Sequence, residues 1–159
     1  MHKLIALLTI AGFSMGAATA QAADVAFSVG STNDSNMTYR LGLQCDFERN
    51  FVESSSGRLT GYWDTAYTYW QTNKTASNNS LSLTPVFVYE FAGETVKPYV
   101  EAGIGVALFS DTELDDQDLG SSFQFEDRLG VGLRFNGHEV GLRAMHYSNA
   151  GLSSANDGV

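Results

Sequence analysis

From Met37 to Glu48 the chain reads MTYRLGLQCDFE, and its side chains alternate without a break. Tyr39, Leu41, Leu43, Cys45 and Phe47 fall on one face, and Arg40, Gly42, Gln44, Asp46 and Glu48 on the other. A strict period of two over this length describes an extended strand and is incompatible with a helix. VKPYVEAGIGVALFS repeats the form, with Val100, Ala102, Ile104, Val106 and Leu108 set against Glu101, Gly103, Gly105 and Ala107. FQFEDRLGVGLRF does so again, with Phe123, Phe125, Leu129, Val131, Leu133 and Phe135 opposite Gln124, Glu126, Arg128, Gly130, Gly132 and Arg134. Seven such segments are predicted, at 25–32, 37–48, 57–72, 80–92, 96–110, 122–135 and 138–149. Only the third, rich in Tyr and Trp, has no clear facing.

Alternation alone does not say whether the apolar face meets a protein core, as in a soluble antiparallel sandwich, or lipid. Length and composition favour lipid. Strands of globular sheets average about five or six residues, whereas about 9 to 11 are needed to cross a bilayer. The polar face also mixes charged residues with glycine and alanine, which suits the inside of a narrow barrel. Long polar connections (NKTASNN, DTELDDQDLGS) alternate with short ones (AGET, Asn136-Gly137), as in outer-membrane barrels. The expected fold is therefore all-β, an eight-stranded antiparallel transmembrane β-barrel. Bacterial barrels have even strand numbers, so an eighth strand, missing from this chain, is expected after Val159.

The N-terminus agrees with export. Lys3, the apolar run LIALLTIAGFSMG and the small-residue site Ala20-Gln21-Ala22 have the form of a cleaved signal peptide over residues 1–22. Residues 23–159 then form a single barrel domain. Cys45 is the only cysteine, so no internal disulfide forms. A net charge of -9 argues against nucleic acid as a partner.

Chemistry concentrates at the end of the seventh segment. Val140, Leu142 and Ala144 define its apolar face, and counting on by twos puts His146 and Ser148 on that same face. A two-residue turn at Asn136-Gly137 pairs Phe135 with His138, and continuing that register sets Asp127 opposite His146. Directly opposed Cβ atoms lie about 4.5–5.5 Å apart, and a carboxylate among apolar neighbours at a membrane is costly without a partner. An acid that orients a histidine, which in turn takes a proton from a serine, is the arrangement of a serine hydrolase. The bland alternative is a polar residue at a strand end. The loop DTELDDQDLGS carries five carboxylates in eight residues, from Asp111 to Asp118. A solvated loop is the favoured reading over a divalent-cation site, because the spacing is not that of an EF-hand. No metal or cofactor is expected.

HYSNAG with the downstream NDG, and the strands KPYVEAGIGVALFS and FQFEDRLGVGLRF, resemble the lipid A 3-O-deacylases of the outer membrane, the PagL family. The resemblance covers the chain from about Val25 onward. It implies a Ser-His-Glu triad on the outer surface of the barrel, at the outer leaflet, hydrolysing the ester at the 3 position of lipid A. His146 would be the base and Ser148 the nucleophile, with the Asn149 side chain and the Gly151 N–H stabilising the oxyanion. The family's glutamate follows the NDG segment, so the triad acid is expected beyond Val159, with Asp127 as a supporting carboxylate. Lipopolysaccharide is the implied substrate, and a homodimer is a candidate assembly. The rival readings are a non-catalytic adhesion or structural barrel and a different lipid acyl-transfer enzyme of the same membrane.

Overall fold

The structure, a computed structural model, describes residues 23–159, so the expected signal peptide lies outside the described residues. Ten strands occupy them: β1 (Ala23–Ser31), β2 (Met37–Asp46), β3 (Val52–Ser54), β4 (Gly57–Trp70), β5 (Asn78–Phe91), β6 (Val96–Phe109), β7 (Glu113–Leu114), β8 (Gln117–Asp118), β9 (Phe123–Phe135) and β10 (His138–Ser148). The seven long ones are the seven predicted segments, with ends shifted by up to two residues. They form one curled antiparallel sheet in the order β1-β2-β4-β5-β6-β9-β10, each strand paired with its neighbour in sequence. This is the barrel sheet that the alternation predicts.

The sheet is inside out relative to a soluble protein. Leu41, Val100, Leu129 and Leu142 are 43–65% exposed on the convex face, while Arg40, Glu101 and Arg128 are at most 7% exposed on the concave one. The ambiguous third segment follows the same rule: Tyr62, Asp64, Ala66, Thr68 and Trp70 point inward, and Trp63, Tyr67 and Tyr69 outward. Burying charges is costly unless they are paired and hydrogen-bonded, and the interior pairs them. Arg40 bridges Asp64 and Glu126, and Arg128 contacts the same two carboxylates. Nearer the Asn136-Gly137 turn, Arg143 binds Glu101 and Glu139.

Two features depart from a uniformly polar lumen with alternating loop lengths. At the end opposite the Asn136-Gly137 turn, the interior is apolar: Trp70, Ala107, Phe109, Met145 and Tyr147 pack with Leu114 and Leu119, which the 110–122 loop tucks inward, and with Val159. The 47–56 connection, although at the short-turn end, is ten residues long and contains β3. It folds back along the outside of the sheet, where Phe47 stacks edge-on against Phe51, Trp63 and Phe87. Gly61 permits this, since a Cβ there would lie 2.6 Å from the Phe47 ring.

Strands β1 and β10 do not pair with each other among the described residues. Val159 lies along the free edge of β10 and exchanges both backbone hydrogen bonds with Tyr147, at 2.6 and 3.0 Å. That reciprocal exchange is the hydrogen-bonded pair of an antiparallel ladder.

Candidate active site

The site is positioned by a two-residue turn. Asn136 and Gly137 have φ of 50° and 77°, the left-handed values of a two-residue type I′ hairpin, whose twist matches the flanking strands. The turn sets Phe135 against His138, and the ladder runs without a bulge to His146↔Asp127, Tyr147↔Glu126 and Ser148↔Phe125. His146 is exposed on the convex face, with Ser148 and Asp127 half-buried beside it. Backbone register, not a side-chain hydrogen bond, brings the three together. Such bonds tighten when substrate closes over a site.

Beyond Ser148 the chain turns sharply through Ala150 and Gly151, whose φ values are 54° and 81°. Asn149 is fully buried and braces this turn. Its Nδ2 donates to the carbonyls of Leu119 (2.8 Å) and Ala155 (2.7 Å), and its Oδ1 accepts from Gly151 N–H (2.8 Å). Asn149 N–H in turn donates to Asn156 Oδ1 at 2.9 Å. The two residues expected to serve the oxyanion are thus adjacent to each other at the strand end, and in this conformation they are bonded to one another and to main-chain carbonyls. Gly158 closes the ring of contacts. It has φ of 70°, and a Cβ there would stand 3.0 Å from His146 Cε1.

Below the histidine, toward the hairpin turn, the convex face is a shallow apolar groove. Ala144, the next outward residue from His146, and Leu129, the next from Asp127, begin it, and Phe87, Val100, Ala102, Val131 and Leu142 continue it. Ala102 and Ala144 are the small side chains that leave room there. The groove therefore begins one outward position below His146 and Asp127 and runs along the convex face toward the hairpin turn.

The acidic loop contributes structure. Asp115, itself at φ 55°, accepts from the N–H groups of Asn73, Lys74 and Thr75 and from Asn36 Nδ2. Desolvation would raise its carboxyl, but these donors hold it below the usual carboxylate range. Lys74 pairs with Asp116, which, with Asp115, ties three loops at the end that carries His146.

The lipid A 3-O-deacylase (PagL) family model matches residues 37–159, so the match takes in the whole of the His146–Gly151 segment. The chain belongs to the lipid A 3-O-deacylase (PagL) family. A lipid A deacylase PagL of Pseudomonas aeruginosa is 57% identical over 162 positions, covering 100% of this chain and 94% of that protein. One from Bordetella bronchiseptica is 36% identical over 107 positions, covering 65% of this chain and 58% of that protein. The crystal structure of the outer membrane enzyme PagL superposes with a TM-score of 0.81 at 60% identity, over 84% of this chain and 90% of that one. The curled sheet is accordingly an outer-membrane-type barrel sheet, and the chain is an enzyme of the lipid A deacylase class.

Three participants escape a reading by motif. Glu126 and Tyr147 belong to the concave face and look from the sequence like ordinary lumen residues, although they lie directly behind Asp127 and His146. Gly158 carries only the general signal of a glycine after Asn-Asp. Its contact with His146 depends on how the final segment folds back.

Proposed function

We propose that the protein hydrolyses the ester-linked acyl chain at the 3 position of lipid A through an acyl-enzyme, with Ser148 as nucleophile and His146 as general base. The observation that carries this reading is the pair of reactive side chains interrupting an otherwise apolar convex face at the loop end, with Asp127 held opposite the histidine. A substrate whose acyl chains lie in the membrane meets such a site without entering the barrel. Its acyl chain would occupy the groove that begins at Ala144 and Leu129, which orients the ester at Ser148 and sets the barrel with this end at the outer leaflet.

In the first step His146 takes the Ser148 proton as the hydroxyl oxygen attacks the ester carbonyl. The tetrahedral oxyanion is stabilised by Gly151 N–H and the Asn149 amide, which exchange their present carbonyl partners for the substrate oxygen; each such donor can be worth about two to three orders of magnitude in rate. The ester C–O bond then breaks as the imidazolium protonates the departing 3-position oxygen of lipid A, which leaves as a hydroxyl, and the acyl group remains on Ser148. Water activated by the same imidazole releases the fatty acid. Asp127 supports the histidine from the neighbouring strand. Continuing the Tyr147·Val159 pairing by one position in a longer chain would bring a side chain opposite His146 on the convex face, which supports the expectation of a triad glutamate after Val159.

Expression in a bacterium lacking this activity, followed by mass spectrometry of lipid A, tests the reading. The intact protein removes one 3-linked acyl chain, and Ser148→Ala and His146→Asn lower the rate by about a thousandfold or more. Full deacylation by Ser148→Ala in a correctly assembled barrel would refute the nucleophile.

A further inference from the structure

Tyr147 lies between the proposed base and nucleophile in sequence, yet its side chain points the other way, into the barrel, where it is 2% exposed. Its ring meets Trp70 and Phe109 edge-to-face, with centroids 5.2 and 5.5 Å away. Its hydroxyl donates to Glu126 Oε2 at 2.8 Å and accepts from Arg40 Nη1 at 3.3 Å. Glu126 is also the residue directly across the ladder from Tyr147. The carboxylate is held in turn by Thr84 Oγ1 at 2.7 Å and by the two arginines.

The pleat makes this arrangement matter for the opposite face. Side chains of consecutive residues project to opposite sides of one backbone, so the torsions that aim Tyr147 inward also aim His146 and Ser148 outward. The torsions that aim Glu126 inward likewise aim Asp127 outward. A single buried bond, Tyr147 Oη–H to Glu126, therefore clamps both strands that carry the outward group, at the one level of the ladder where that group sits.

We propose that Tyr147 is a positioning residue for deacylation: through its bond to Glu126 it fixes the backbone on which His146, Ser148 and Asp127 are displayed, without touching substrate. The inference rests on the assignment of His146 and Ser148 above. Misplacement of a reacting group by about 1 Å can cost of the order of a hundredfold in rate, so loss of one clamp bond with the ring retained is expected to cost about tenfold in kcat.

The test compares two phenylalanine substitutions in the full protein, assayed as initial rates on purified lipid A in detergent micelles, with urea unfolding measured in parallel. Tyr147→Phe removes the clamp hydroxyl. Tyr62→Phe removes an equivalent buried bond, Tyr62 Oη to Glu101 Oε2 at 2.8 Å, on a strand that carries none of the proposed site. The expected result is a kcat about tenfold lower for Tyr147→Phe with KM unchanged within about twofold, while Tyr62→Phe loses comparable stability and keeps its kcat. Equal kcat in the two variants, or a Tyr147→Phe effect confined to KM, overturns the proposal. If Tyr147→Phe does not assemble, Glu126→Leu combined with Arg40→Leu removes the acceptor of the same bond while keeping the interior charge balanced, and a normal kcat in that double variant overturns the proposal. Ser148→Ala is run alongside: an active serine variant refutes the catalytic assignment itself, whereas an inactive serine variant with a normal Tyr147→Phe kcat refutes only the clamp.

Discussion

Replacing Glu126 by Gln probes the physical basis of the inverted interior. Four charges meet there in balance: Arg40 and Arg128 against Asp64 and Glu126. The Glu126 side chain is 0% exposed and accepts from Arg40 at 3.1 and 3.3 Å, Arg128 at 3.0 Å, Thr84 at 2.7 Å and Tyr147 at 2.8 Å. The substitution removes one negative charge and leaves two arginines sharing Asp64. Unpairing a buried charge typically costs about 3–5 kcal/mol; a glutamine carbonyl retains two of the acceptor positions, which puts the expected loss near the lower end, at about 3 kcal/mol. Urea unfolding of the barrel in lipid vesicles, followed by the fluorescence of Trp63 and Trp70, measures it. Adding Arg40→Gln restores the balance of charge, so the double variant should lose less than the sum of the singles by about 1–3 kcal/mol, the range for residues in one network. A loss below about 1 kcal/mol for Glu126→Gln, or strictly additive effects in the double variant, would show that the network carries no coupled charge and would refute this account of the interior.

Gly158→Ala puts a Cβ on a residue at φ 70° and 3.0 Å from His146 Cε1; it should cost about 1 kcal/mol in unfolding and lower the deacylation rate more than that loss of stability explains. Asp127→Asn should reduce the rate by about tenfold, much less than His146→Asn, if a glutamate following Val159 in a longer chain is the principal acid; an equally severe loss in such a chain would make Asp127 the orienting carboxylate. The Asp115 loop tie has a definite pH sense. Because its folded carboxyl is held low, its stabilisation is full above the ordinary aspartate value of about 3.9 and is lost as pH falls through the folded value. Hydrogen exchange at Asn73, Lys74 and Thr75, corrected for intrinsic rates, should therefore accelerate only in strong acid, and in Asp115→Asn this pH-dependent step should vanish.

Much of the fold is legible in the chain because its signals are local. A period of two needs only neighbouring residues to declare a strand and its facing, so Arg40, Glu101 and Arg128 could be assigned inward and Leu41, Val100 and Leu129 outward from sequence. The Asn136-Gly137 turn fixes its own hairpin, and register then carries Asp127 to His146 by counting. The outward facing of His146 and Ser148 was readable for the same reason. What tertiary structure alone decided are contacts between segments distant in sequence. Glu126 meets Arg40 across 86 residues, and Asn149 reaches Leu119 across 30. The inward tuck of Leu114 and Leu119, the folding of Phe47 and Phe51 onto Trp63 and Phe87, and the approach of Gly158 to His146 depend on which surfaces the curvature of the sheet brings together. Alternation says which way a side chain points; only the curl of the sheet determines what it meets.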